Sequence, residues 1–432
     1  MQTTSALPER SARPWLWIPT LYLAQGLPYI LITVLSVFMF KKLGLDNSSI
    51  TLLTNLVGLP YTFKPLWSPF VDTLGTRRNW VWTMQLATAG GLATLATLLT
   101  GANGVQAATA LFVIAAITAA THDIAADGLY LIALREEQQK YFVGVRTVFF
   151  RLAMFAGNGP LVVLAGHLET RFAEPHHAYA AFFGIMAVMM AAFALWHLFA
   201  LPRAANDRAG DVRDAGAQLE SFLGTFVSFF RKPGIITSIA FLLLYRLGEA
   251  QLLAVAKLFM LDGAAKGGLG LTTEQVGVIY GIWGIIALLV GGLLGGLLTS
   301  RDGLRKWLWP MMLAMHLPNA AYWYLAHALP TSHTVIQACV MFEQLGYGFG
   351  FTAYLIYMMQ LARGEHQTAH YALCTGFMSL GVLLPGMWSG KLQQMLGYEH
   401  FFVWVLIATI PGMIVGARLR IEDAPKGAAK TA

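Results

Sequence analysis

Apolar runs of about twenty residues or more recur along the whole 432-residue chain, separated by loops that hold most of the charge. A helix needs about 20 apolar residues, at about 1.5 Å of rise each, to cross the hydrocarbon of a bilayer. Inside that hydrocarbon the backbone must pair within itself, which leaves only helices and closed barrels. Runs of this length are the helical case. They predict twelve spans, at residues 15–40, 48–72, 79–101, 105–133, 141–167, 178–201, 234–261, 273–299, 305–328, 332–361, 367–395 and 398–418. Composition agrees, because only 12% of the residues are charged. A soluble domain of ordinary composition is about a quarter charged.

An even number of spans puts both termini on one side. Of the 29 Lys and Arg residues, nineteen fall in the loops and tails of that side. Five (Lys41, Lys42, Arg171, Lys266, Lys391) fall on the other. This asymmetry predicts cytoplasmic termini by the positive-inside rule. It also accounts for the net charge of +7 without nucleic acid, since no basic face or arm is present. The polar start, MQTTSALPERSARP, leads into a run too long for a signal-peptide core, so it reads as a retained first span. Cys339 and Cys374 both lie in apolar runs and read as small core residues, not a disulfide.

The longest loop divides the spans six and six. The predicted organisation is an N-terminal half (1–202), a linker (203–233), a C-terminal half (234–421) and a tail (422–432). Within the linker, Leu219, Phe222, Leu223, Phe226, Phe229 and Phe230 recur at helical spacing, which predicts an amphipathic helix on the inner leaflet. The halves echo one another. Ser68-Pro-Phe-Val-Asp72-Thr-Leu-Gly75-Thr-Arg77-Arg78 follows span 2, and Gly296-Leu-Leu-Thr-Ser300-Arg301-Asp-Gly303-Leu-Arg305-Lys306 follows span 8. A glycine turns each loop, and a basic pair closes it at the membrane surface.

This doubled loop resembles the G-x-x-x-D-R-x-G-R-R signature of the major facilitator superfamily, with Ser68 and Thr73 replacing its first glycine and first arginine. The implied fold is an all-α membrane protein of twelve transmembrane helices in two six-helix pseudo-repeats. Gly26-Leu-Pro-Tyr29, Gly58-Leu-Pro-Tyr-Thr-Phe-Lys64-Pro-Leu-Trp67-Ser-Pro69 and His122-Asp123-Ile-Ala-Ala-Asp127 resemble the muropeptide permease (AmpG-type) branch, which has acetyl-CoA and siderophore transporter relatives. That likeness thins in the second half.

In the superfamily, spans 1, 4, 7 and 10 line a central cavity. Here spans 4, 7 and 10 carry seven charged or titratable groups: His122, Asp123, Asp127, Arg246, Glu249, Lys257 and Glu343. Such groups are costly in a membrane and mark functional sites by default. Asp123 and Asp127, four apart, share a helix face. Asp127 is expected to pair with Arg77 or Arg78 and lock the inner gate, together with Asp72. Asp123 is expected to pair with Arg146 or Arg151, or to face the cavity. Glu343 has no basic residue nearby in its own span and is the first candidate for proton coupling, with Asp123 and Glu249 as further ones. Gln25, Tyr29, Lys64, Arg246 and Lys257 are candidate solute contacts; Arg246 and Glu249, three apart, can instead neutralise each other. His122 reads as a satisfied helix histidine. Gly291, Gly292, Gly295 and Gly296 form two overlapping G-x-x-x-G patterns that predict close helix approach.

No metalloprotease, serine-hydrolase, P-loop or dinucleotide motif is present, and His176-His177, in an outer loop, read as solvated histidines in preference to metal ligands. The expectation is a multi-pass inner-membrane secondary transporter working by alternating access. It would act as a monomer, without cofactor or nucleic-acid partner, importing a polar or anionic solute such as a muropeptide with protons. Siderophore uptake and drug or sugar efflux are alternatives. A membrane-embedded enzyme using His122 and Asp123 is disfavoured, because adjacent helical residues project about 100° apart.

Overall fold

The computed structural model describes residues 13–419 and 421, apart from 102, 205–206, 208–223, 225 and 365–366. Among these residues the regular elements are helices, and no strand occurs. Among the described residues seven helices are each long and apolar enough to cross a membrane, the last of them, Ala369–Gly416, carrying two predicted spans joined at Gly397 (φ 73°). Spans 3 and 10 are the helices Arg77–Leu98 and His333–Ala362. Spans 2 and 9 are broken, at Val57–Gly58 and at a 3-10 turn over Leu317–Asn319.

Polarity is inverted relative to a soluble protein. Leu293 and Phe199 are 76% and 77% exposed, whereas Glu343 is 1% exposed. The apolar surface suits lipid, which leaves van der Waals packing and internal hydrogen bonds to hold the helices together. Close approach then depends on small residues. A Cβ on Gly26 would press on Ala153 of span 5, and one on Gly157 would collide with Ile30 of span 1. Beyond Pro28, which cannot donate to the carbonyl four residues back, span 1 widens into π-helical bonding over Leu31–Leu35. Of the two glycine patterns in span 8, Gly291 and Gly295 press on Leu345 and on Thr352 and Phe349 of span 10, while Gly296 meets nothing.

The helices form two compact units. One holds the described residues of Met1–Leu43 and Val57–Glu220, the other those of Gly44–Leu56 and Ser221–Ala432. In the first, span 3 packs on spans 4 and 6, and span 1 on span 5. In the second, span 10 packs on spans 8 and 9, and span 7 on the helix that carries spans 11 and 12. The outer half of span 2, Asn47–Leu56, also packs on span 11 in this second unit. Gly386 and Gly390 admit it, since a Cβ on either would strike Asn55 or Asn47. The repeated loops share their turn glycine in the left-handed region, Gly75 at φ 95° and Gly303 at φ 83°.

Only the end of the predicted linker helix lies within the described residues. Leu219, Phe222 and Leu223 lie outside the described residues. Phe226–Phe230 are helical, but Phe229 is fully buried in the second unit against His370 and Phe377, with Ser228 bonded to the His370 ring (2.9 Å). Phe229 thus fills a protein groove, while Phe226 and Phe230 of the same turn stay exposed. Lys232 then donates to the terminal carbonyls of span 10, Leu361 (2.5 Å) and Arg363 (2.8 Å).

Candidate functional site

The first unit gathers its charges around span 4. The break at Val57–Gly58 and the 3-10 turn Lys64–Leu66 bring Lys64 to this span, where its ammonium ion-pairs with Asp123 Oδ2. Gln25 Nε2, from span 1, donates to the other carboxylate oxygen. One turn along, Asp127 takes the Tyr22 hydroxyl (3.1 Å) and Arg146 Nη2 (3.4 Å). The Arg146 guanidinium sits between the Tyr22 and Tyr130 rings, 4.9 and 5.0 Å from their centroids.

These partners differ from the expected ones. Asp123 meets Lys64, not Arg146 or Arg151, and Arg146 serves Asp127. Arg151 is exposed. Arg78 turns away from Asp127, its guanidinium donating to the Leu198 and Leu201 carbonyls at the end of span 6. The Arg77 side chain lies against Gly128. The backbone N–H groups of Arg77 and Arg78 both donate to Asp207 (2.8 and 2.9 Å), a carboxylate at the N-terminus of span 3 where the helix dipole favours it. The side chain of Asp72 lies outside the described residues. Tyr29 packs edge-on against Tyr61 (5.0 Å).

His122 is satisfied, and through a network that sequence alone did not indicate. Gln85 of span 3 bonds both the His122 ring (2.9 Å) and His197 of span 6 (2.8 Å), whose other nitrogen meets Thr20 of span 1 (3.0 Å). The amide ties three helices, and His197 adds span 1 as a fourth. Its sequence signal was three polar residues in otherwise apolar runs.

In the second unit, span 7 unwinds at Tyr245–Arg246, and Arg246 clasps Glu249 through two hydrogen bonds (2.9 and 3.2 Å). Arg246 also donates to Tyr347 Oη (2.9 Å) and lies 5.0 Å from the Phe351 ring centroid. Mutual neutralisation is thus the arrangement these two adopt. Glu343 takes a hydrogen bond from Gln344 (2.9 Å), whose amide also reaches Tyr280 Oη (3.3 Å). Lys257 lies over the Tyr280 ring, 4.7 Å from its centroid, within electrostatic reach of Glu343. Among the described residues, Lys257 and Glu343 have no ion-pair partner. A cleft of about 390 Å³ between spans 2 and 4 has nearly all-apolar walls, including Leu59, Phe63 and Ile117, and so lacks the groups that would orient a polar solute.

Outward apolar surfaces, broken spans and buried charges on the two units define a polytopic helical carrier, not a soluble or single-span protein. The chain matches the Major Facilitator Superfamily model over residues 21–386 and belongs to that superfamily. It is a secondary transmembrane transporter. Among its relatives, "Putative transporter AmpG 4" of Rickettsia conorii is 23% identical over 404 residues, 91% of this chain and 93% of that protein. "Anhydromuropeptide permease" of Escherichia coli K12 is 26% identical over 368 residues, 84% of this chain and 70% of that protein. Among solved structures, the nucleoside transporter NupG superposes with TM-score 0.65 at 15% identity, covering 94% of this chain and 97% of that one. A D-xylose-proton symporter superposes with TM-score 0.65 at 12% identity, covering 93% and 96%. These likenesses support the fold.

Proposed function

We propose that this transporter imports a muropeptide-like solute, a sugar bearing an anionic peptide, together with protons, across a bacterial inner membrane, with both its termini in the cytoplasm. The observation that carries the reading is the unmatched pair in the second unit. Lys257 and Glu343 are buried, close enough to influence each other, and engaged by no counter-ion among the described residues. An unpaired ammonium is a receptor for a solute carboxylate. The buried carboxyl of Glu343, held only by the Gln344 amide among the described residues, is the group assigned to the coupled proton. The names of the relatives supply the sugar-peptide part of the proposal.

In the first unit, Asp123–Lys64–Gln25 is the second solute-facing cluster, and Asp127 with Arg146 and Tyr22 is the inner gate. Arg77 and Arg78 serve that gate by holding the start of span 3. The test is Glu343→Gln in proteoliposomes with labelled anhydromuropeptide. Gradient-driven accumulation is lost and counterflow exchange, which moves no net proton, persists. Unchanged pH-dependent accumulation removes Glu343 from the mechanism. Absence of any uptake by the wild type removes the substrate.

A further inference from the structure

Span 9 carries an arrangement that the transport site does not use. His316, Asn319 and Tyr322 are spaced by three, and the last turn between the first two is 3-10, in which residues i and i+3 eclipse. They therefore share one face. All three are buried, at 2%, 0% and 0% exposure. Five polar atoms on that face, both His316 ring nitrogens, both Asn319 amide atoms and the Tyr322 hydroxyl, have no hydrogen-bond partner among the described residues. Buried polar atoms are nearly always paired, and leaving one unmet is destabilising. Leucine and phenylalanine would fill the same space without that cost.

We propose that this face binds a file of water molecules within the second unit, and that the file delivers protons to Glu343. The second half rests on the reading of Glu343 given above. An imidazole, an amide and a phenol offer donors and acceptors together, which suits water with its two to four partners. A metal cation is a poorer fit, because the face holds no carboxylate. The face lies beside span 10, where Pro318 of the same 3-10 turn packs against Gly346, three residues from Glu343, and Tyr322 lies within electrostatic reach of that carboxyl. Glu343 in turn feels Glu249 and Lys257. Away from Glu343, the Tyr322 ring packs on Phe402 (5.4 Å), beside Tyr398, whose hydroxyl donates to Asp262 (2.6 Å). Lys266, 73% exposed in its side chain, ion-pairs with Asp262 at 3.6 Å and marks the surface end. Along the file a proton passes from water to water, each oxygen releasing one proton as it accepts another, and the last transfer is to the Glu343 carboxylate. The side chains orient the waters and are not themselves consumed.

The test uses the full-length protein in lipid nanodiscs and X-ray radiolytic footprinting in ¹⁸O water, which oxidises side chains next to bound water. His316 and Tyr322 label several-fold above Tyr354, an equally buried ring whose hydroxyl is bonded to the Leu242 carbonyl. Asn319→Leu lowers that labelling to the Tyr354 level. In proteoliposomes the same variant slows proton-driven accumulation about tenfold and leaves counterflow within about twofold. Tyr322→Phe, which keeps the ring packing, shows the same split if Asn319→Leu fails to fold. Wild-type labelling no higher than at Tyr354 overturns the water file. Lost labelling with unchanged proton-driven accumulation overturns its connection to Glu343. If Glu343→Gln alone leaves accumulation unchanged, the proton-site reading and the file's delivery role fail together, while the labelling still decides whether water is bound.

Discussion

Removing either partner of the Arg246–Glu249 pair should cost far more than removing both. Their side chains are 8% and 2% exposed and share two hydrogen bonds of 2.9 and 3.2 Å. With charge centres about 4 Å apart and an effective dielectric of about 20, the attraction is about 4 kcal/mol. Cutting one member leaves the other charged and buried, at about 3–5 kcal/mol, whereas replacing both by apolar residues of similar volume is close to neutral. Arg246→Met and Glu249→Leu should therefore each destabilise by about 3 kcal/mol or more. At about 2–4 °C per kcal/mol, each single variant loses about 6–12 °C in unfolding temperature. The double variant should return to within about 3 °C of wild type. Thermal unfolding of the purified protein, followed by tryptophan fluorescence, measures all four corners of the cycle. Additive losses, with the double variant the least stable, would refute the argument. So would single variants within about 1 °C of wild type. The recovered double variant then separates stability from transport, since a solute-binding Arg246 predicts that uptake stays lost.

The same logic applied to Lys64 and Asp123 predicts that Lys64→Met is more destabilising than Lys64→Met combined with Asp123→Leu, read by the same unfolding assay. Gly291→Leu should abolish stable folding and Gly296→Leu should be nearly silent in expression and unfolding, because Gly291 presses on span 10 and Gly296 meets nothing. Asp46 caps the helix Asn47–Leu56 through Ser49 and also takes a bond from Gln394, and these bonds, the Ser49 hydroxyl first, hold its carboxyl down to about 2 from an ordinary value of 3.8. A depressed carboxyl stabilises above its unfolded value, so the contribution is complete above about pH 4 and disappears as pH falls toward about 2. Asp46→Ala should lose about 1 kcal/mol at neutral pH and much less at about pH 2, by chemical denaturation at both values.

The spans were legible because membrane burial leaves a long, uninterrupted mark on the sequence. The doubled loop was legible too, since both turn glycines adopt the positive φ that such a turn demands. Partner choice was not. Asp123 and Asp127 share a face, yet one turn of helix carries them past different neighbours, so Lys64 reaches one and Arg146 the other. Spacing within a span cannot reveal the rotation and depth of the spans around it. The packing of Asn47–Leu56 in the second unit was hidden for the same reason. It depends on Gly386 and Gly390 and on Asn47 bonding Gln393 and Tyr398, residues more than three hundred positions away. Overlapping G-x-x-x-G patterns likewise gave the helix but not which glycines face its neighbour.

The two units handle buried charge differently, and the difference bears on coupling. In the first, each span 4 carboxylate is engaged by a cation, and each pair also draws a hydrogen bond from span 1, from Gln25 or from Tyr22. Each carboxylate is thus part of an arrangement that joins several helices. In the second, Arg246 and Glu249 cancel within one turn, leaving Lys257 and Glu343 to face the same interior with only a ring and an amide for company. Here charge can change without dismantling a helix contact. An anionic solute arriving at Lys257 alters the field at Glu343 directly, and a proton on Glu343 leaves Lys257 freer to hold an anion. Binding of each then favours the other, with no intermediary beyond the distance between two side chains.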